Sequence, residues 1–177
     1  MFRPTIVAAR RILKRAAIQS GLEAVSLVSK AGLMPEARGL GAIFTLHHVR
    51  PAIRKAFDPA AHLTITPEFL DASITRLKAR GYVPVALEEL PEYLARRDRP
   101  GPAMVFTLDD GYRDNDQFAR PVFEKHQVPY TVFIAGGFVD RSHSIWWETA
   151  ELLLGQIDEF TFDFGDGEET LATHSLM

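Results

Sequence analysis

The sequence predicts an α/β fold built on a parallel sheet with helical crossovers. Three observations predict it. Short apolar runs rich in β-branched and aromatic residues recur at Ala42–Val49, Ala103–Leu108 and Val128–Ala135. Segments of helical periodicity separate them. The runs are continuously apolar rather than alternating, as expected of parallel strands buried on both faces.

At the N-terminus, Ile6, Val7, Ile12, Leu13, Ile18, Leu22, Val25 and Leu27 recur at near-helical spacing, with Arg10, Arg11, Lys14 and Arg15 between them. This is a basic amphipathic helix. Gly32, Pro35, Gly39 and Gly41 break the pattern and mark a linker, so residues 1–40 are expected to form a helix and linker ahead of a domain at 41–177. Ala42–Val49 is a strand stopped by Pro51, and 51–66 reads as a loop. Thr66 is suited to cap a helix with Pro67 at its first position. Phe69, Leu70, Ile74 and Leu77 form its apolar face, and Gly81 is a C-terminal stop. Tyr82–Leu87 reads as a short strand, Glu88–Arg97 as a helix and Asp98–Pro102 as a loop. Ala103–Leu108 is a buried strand running into Asp109-Asp110-Gly111. Asn115–His126 is a helix with Pro121 as a kink. Val128–Ala135 is a strand, Ser144–Leu154 a helix, and Phe160–Phe164 a strand. The run Phe160–Glu169 lacks the regular ligand spacing of a calcium loop and reads as a hairpin turn.

Composition excludes several classes. The 177 residues include no Cys, which removes disulfides, thiolate metal sites and a cysteine nucleophile. The net charge of -3 excludes a generally basic nucleic-acid binder, so no nucleic-acid partner is expected. The charge is nonetheless graded: residues 1–50 hold eight Lys or Arg against Glu23 and Glu36, and residues 148–177 hold eight acids and no Lys or Arg. Two differing solvated faces, or a basic arm and an acidic tail, would each produce this gradient. No apolar run reaches the ~18 residues of a membrane span. Charges interrupt every candidate signal core, so no secretory signal is read and a cytoplasmic location is expected. Residues 3–28 either pack on the domain or make weak peripheral contact with an anionic membrane face.

The acidic pair carries the chemistry. Asp109 and Asp110 end a buried strand, where two neighbouring carboxylates repel and lose solvation. A divalent cation relieves both costs, leaving one Asp to ligate and the other to take a proton from water. The alternative is an Asp-Gly turn with Asp109 or Asp114 capping the next helix.

The segment Phe106-Thr107-Leu108-Asp109-Asp110-Gly111 resembles the T-F-D-D-G motif of the polysaccharide deacetylases, the nodulation-protein-B homology enzymes that include chitooligosaccharide deacetylases. Leu46-His47-His48-Val49 resembles the family's first-strand Y-H-x-V. Pro121–Thr131 resembles its helix-to-strand P-V-L-x-x-x-G-V-P-A-T, and Trp146-Trp147-Glu148 an aromatic stretch of many members. The likeness covers about residues 41–155, with Leu108 in place of the usual Phe.

The resemblance implies the N-terminal part of an irregular (β/α) barrel and a metal-dependent hydrolase of carbon–nitrogen bonds other than peptide bonds. Its substrates would be acetylated oligo- or polysaccharides, such as N-acetylglucosamine units in chitooligosaccharide. By position Asp109 matches the catalytic base and Asp110 the metal-binding Asp, with zinc, cobalt or a similar divalent ion as cofactor. The family's second motif, H-[ST]-x-x-H, has no counterpart among His47, His48, His62, His126, His143 and His174. The expected ligand set is therefore incomplete, and the chain is expected to be truncated before that motif, with weak activity at most.

Further substrate contacts are expected from His48, Tyr112, Arg113, Trp146 and Trp147. Each has an ordinary structural alternative: a satisfied buried His with His47 pointing to the opposite side, a half-buried Tyr, a solvated Arg, and core packing for one Trp. Two readings of other classes stand beside the hydrolase. One is a non-catalytic carbohydrate-binding remnant of the fold. The other is a phosphotransfer pocket of the response-regulator type, disfavoured because no Lys follows Lys125.

Overall fold

A computed structural model of the chain describes residues 4–33, 39–52, 55, 57–163, 165 and 167–173. Residue 3, the linker positions 34–38 that include Pro35, and the strand end Phe164 and His174 considered above lie outside the described residues. The chain divides into two compact units, Met1–Gly39 and Leu40–Met177. The first holds helix α1 (Pro4–Lys30), which starts on a proline suited to the first turn and carries Lys30 at its negative end. Leu13, Ile18, Leu22, Val25 and Leu27 along it are exposed. Among the described residues, no helix is long and apolar enough to cross a membrane.

The second unit is a mixed α/β fold around a parallel sheet, as the apolar runs predict. Its elements are β1 (Gly41–Leu46), β2 (His48–Val49), β3 (Thr64–Ile65), α2 (Pro67–Ala79), β4 (Val83–Pro84), α3 (Leu90–Ala95), β5 (Ala103–Asp109), α4 (Arg120–His126), β6 (Tyr130–Phe133), α5 (Gly136–Val139), α6 (Trp146–Leu154), β7 (Glu159–Asp163) and β8 (Glu168–Ala172). Strand β5 is central. One edge pairs with β1 from Gly41–Ala103 to Leu46–Leu108. The other pairs first with β4 and then with β6, up to Asp109 opposite Phe133. All these pairings are parallel, and the connections run through helices.

Alternation along β5 assigns its two faces. Met104, Phe106 and Leu108 join Leu70 and Ile74 of α2 and Phe123 of α4 in the main core. Ala103 and Val105 pack with Val85 and, through partly buried neighbours, with Leu90 and Tyr93 of α3. Thr107 and Asp109 continue this second face toward the carboxyl end. Phe123 anchors the first face, its ring 4.6 Å from that of Tyr130 and 5.3 Å from that of Phe106.

Several elements are shorter than the sequence suggests, each for a local reason. Helix α2 begins as expected: Thr66 Oγ1 accepts from the Phe69 N–H and Pro67 opens the first turn. The strand expected over Tyr82–Leu87 shrinks to Val83–Pro84, held on β5 by the Val83 N–H to the Pro102 carbonyl at 2.9 Å and the Val85 N–H to the Met104 carbonyl at 3.1 Å, with Pro84 between them taking no part. The helix expected over Asn115–His126 starts as a π-turn at Asn115–Ala119, with the Arg120 N–H bonded to the Asn115 carbonyl. Pro121 cannot donate four residues back, and the wider turn absorbs that missing bond. The expected strand Ala42–Val49 breaks at His47. The final run forms the β7–β8 hairpin, where Asp163 Oδ1 accepts from the Gly165 N–H at 2.8 Å and the Gly167 N–H at 3.0 Å.

An ionic clasp holds α2 to α4. Asp71 Oδ1 lies 2.7 Å from both Lys125 Nζ and His126 Nε2, and Lys78 Nζ bonds the His126 carbonyl. The Lys125 bond, reinforced by that of His126, holds the Asp71 carboxyl below the usual carboxylate range. A depressed folded-state value contributes stability above the unfolded value and loses it as pH falls through the folded one. Asp71→Asn should therefore remove part of the acid limb of the stability–pH curve below about pH 4, measured by urea titration, while leaving pH-independent terms in place. Phe123→Ala should cost about 3–5 kcal/mol in the same assay, because it empties a fully buried aromatic site.

Candidate active site

The carboxyl end of β5 gathers the titratable groups of this unit. Asp109 is the last residue of the strand, on the face that carries Val105 and Thr107. Thr107 Oγ1 donates to Thr45 Oγ1 at 3.2 Å, tying β1 to β5 just below it. Asp110 then turns out of the strand at φ 68°, followed by Gly111 at φ 67°. A left-handed Asp costs of order 1–2 kcal/mol and persists only where its surroundings impose it. At Gly111 a Cβ would stand 3.1 Å from Ile134 Cγ1 in addition to the unfavourable φ, so a side chain here would be strained.

His47 occupies the bend between β1 and β2, directly beyond the Leu46–Leu108 register pair. Its Nε2 lies 3.8 Å from Asp109 Oδ2, with both side chains about one-third exposed. His48 is 5% exposed and its Nδ1 lies 2.7 Å from Asp114 Oδ2. His47 lies on the face of Thr45 and Thr107, as alternation along the strand places it, and meets Asp109, whereas the neighbouring His48 pairs with Asp114 and Glu148. A proton on His48 Nδ1 would be donated to Asp114, leaving Nε2 3.7 Å from Glu148 Oε1. The Asn115 amide, with its nitrogen turned inward, donates to Asp114 Oδ1 at 3.2 Å and to the His47 carbonyl at 2.9 Å.

Tyr112 links the two halves of the cluster. Its ring lies against that of His48, tilted by 32° with centroids 3.8 Å apart, and its hydroxyl accepts from Trp147 Nε1 at 2.9 Å. Burial pushes the Tyr112 phenol up to about 12, helped by the Asp110 and Glu148 charges and opposed by the Trp147 bond. The phenol therefore keeps its proton at neutral pH and is a donor.

The other expected contacts divide. Trp147 faces inward, edge-on to Phe138 at 5.9 Å. Trp146 is 67% exposed, perpendicular to Trp147 at 5.8 Å. Arg113 is exposed and has no hydrogen bond or ion pair among the described residues. Sequence reasoning undervalued His47 and passed over Glu148 and Asp114 as partners of His48. The adjacency of His47 and His48 to a strand end was the available signal.

The donors were also tested as a metal centre. Among the described residues, no group of three or more His, Asp or Glu side chains is arranged to hold a cation. Asp109 pairs with His47, and His48 with Asp114 and Glu148, rather than converging on one point. The described residues do not make up a complete metal site, and no step is routed through one.

The comparisons bear on this cluster. Residues 96–170 match the family model for polysaccharide deacetylase. A putative polysaccharide deacetylase of Bacillus subtilis, YxkH, is 30% identical over 84 residues, which is 47% of this chain and 30% of the relative. The chain thus spans about a third of that curated relative's length. Among solved structures, the Streptococcus pyogenes deacetylase PplD in complex with acetate is 21% identical at a TM-score of 0.49, over 59% of this chain and 46% of its own. IcaB from Ammonifex degensii is 28% identical at a TM-score of 0.46, over 56% and 40%. The strand tip, acidic turn and following helix that build the cluster lie inside the segment 96–170 that matches the polysaccharide deacetylase model.

Proposed function

We propose that the chain carries the proton-handling part of a carbohydrate de-N-acetylase, hydrolysing the acetamide C–N bond of N-acetylglucosamine units in a chitooligosaccharide or polysaccharide. The observation that carries this reading is Asp109 at the strand tip with His47 Nε2 3.8 Å away. Asp109 accepts a proton from water as the water oxygen bonds to the acetyl carbon. His47, protonated, delivers a proton to the departing nitrogen as the C–N bond breaks, giving acetate and the free amine. Tyr112, kept neutral, positions His48 by ring contact and holds Trp147 at the wall of the site. Exposed Trp146 offers a face for a sugar ring, and Arg113 lies at the rim.

Asp110 is the one carboxylate that the turn offers to a divalent ion such as zinc or cobalt. We read the parallel sheet of residues 41–177 as the first part of an irregular (β/α) barrel, its Asp109 face inward, with residues 1–40 as a separate basic helix and linker. With Asp110 as its single identified donor, the 177-residue chain should bind a divalent ion weakly and turn over slowly.

Asp109→Asn should lower acetate release from the N-acetylglucosamine tetramer by about 10²–10⁴-fold in kcat with little change in KM. Turnover equal to that of the parent chain would remove Asp109 from the reaction, and sugar binding without any turnover would mark a carbohydrate-binding protein instead. A zinc titration followed by calorimetry should show a weak site that Asp110→Ala abolishes. Identical titrations of the two proteins would cancel the ligand role of Asp110.

A further inference from the structure

His47 stands between two ladders. Strand β1 pairs with β5 up to Leu46–Leu108, and β2, from His48 onward, pairs with β3 in a separate sheet. The His47 ring lies 3.8 Å from Asp109, beyond hydrogen-bond distance, and makes no hydrogen bond among the described residues. Where that ring points is therefore set by the backbone that carries it.

Two consecutive residues grip that backbone. The Asn115 amide donates to the His47 carbonyl at 2.9 Å and to Asp114 Oδ1 at 3.2 Å. Asp114 Oδ2 lies 2.7 Å from His48 Nδ1, so one carboxylate oxygen holds the His48 ring and the other holds the Asn115 amide. The pair Asp114–Asn115 thus closes on the pair His47–His48.

The helix that carries these two side chains makes no use of them. Asp114 stands in its first turn, where an aspartate commonly accepts from backbone N–H groups, yet its side chain makes no capping bond. The Asn115 backbone is satisfied without its side chain: the N–H donates to the Tyr112 carbonyl at 3.0 Å, and the carbonyl accepts from the Arg120 N–H. Asn115 is 4% exposed, and a buried amide persists where its hydrogen bonds are met. Those bonds go to His47 and Asp114 rather than to the helix. An uncapped first turn and a buried amide aimed at a strand bend both direct their polar groups to the two histidines.

We propose that Asp114 and Asn115 are positioning residues for the proton transfer at the strand tip, holding the His47–His48 backbone so that His47 Nε2 faces Asp109. Asn115 acts through the His47 carbonyl, and Asp114 acts through the Asn115 amide and the His48 ring. This role rests on the reading of Asp109 and His47 as the proton-handling pair.

Imidazole NMR of the 177-residue chain reads the position of His47 without requiring turnover. In the parent, Asp109→Asn should shift the His47 ring resonances. In an Asn115→Ala background that response should fall to about half or less, as expected where two residues are coupled. Acetate release from the N-acetylglucosamine tetramer by Asn115→Ala should lose about tenfold or more in kcat with KM unchanged, since a displacement of about 1 Å at a reacting group can cost ~10²-fold. Asn115→Asp keeps the size of the side chain but removes the donor to the His47 carbonyl, and Asp114→Asn removes the carboxylate behind it. Both should lower the His47 response and kcat in the same way, so that a variant shown by circular dichroism to be unfolded leaves the others to decide. Asp71→Asn, in the clasp between α2 and α4, should leave both readings unchanged. A full His47 response in the folded variants, parent-like kcat, a loss confined to KM, or no response of His47 to Asp109→Asn in the parent would overturn the clamp. Acetate release that depends on Asp109, with the His47 response and kcat indifferent to Asn115, sinks the clamp alone. A His47 response that depends on Asn115, with acetate release indifferent to Asp109, sinks the catalytic reading alone.

Discussion

Strand β5 carries hydrogen bonds along both edges, to β1 on one side and to β4 and then β6 on the other. It is also covered on both faces, so that Ala103 through Leu108 are all buried. A strand held in this way cannot slip without moving six side chains to the wrong face. Its end is therefore the most rigidly placed point of the unit, and the residues there inherit that rigidity. Asp109 leaves the ladder with its backbone still paired opposite Phe133, while the carboxylate reaches solvent.

The turn that follows spends conformational energy at the same place. Asp110 and Gly111 adopt left-handed geometry in succession, and the Ile134 side chain closes the space beside Gly111. The sharp reversal brings Tyr112 back over His48 instead of letting β5 continue. From there the contacts form a chain: Tyr112 to Trp147, His48 to Asp114, Asn115 to the His47 carbonyl. The π-turn at Asn115–Ala119 belongs to this arrangement, since it begins on the residue that ties the first helical turn to His47. Backbone strain, a helix defect and a buried histidine thus converge on one strand end, the usual signature of a functional site rather than of a stability device.

Electrostatics at this end are two-sided. Asp109 faces His47, and His48 lies between Asp114 and Glu148. Each carboxylate thus has a partner that can carry a proton, which suits proton transfer. His48, Trp147 and Glu148 also line a cavity with Arg50 and Lys55 on its other side.

Sequence alone determined the class of fold and the location of the acidic pair. Continuous apolar runs between helical segments admit little besides a parallel sheet, Thr66-Pro67 announces a helix start, and Asp109-Asp110-Gly111 must end a strand, because an Asp-Gly pair turns the chain. These are local properties, written in periodicity and backbone preference. Tertiary structure decided which side chains meet. His47 and Asp109 are 62 residues apart in the chain and adjacent only through the Leu46–Leu108 register. The pairing of His48 with Asp114 and Glu148 likewise depends on crossovers that bring β2, the helix after β5 and α6 together. Strand alternation places His47 on the face of Thr45, but that this face meets Asp109 depends on the β1–β5 register, which no local pattern encodes.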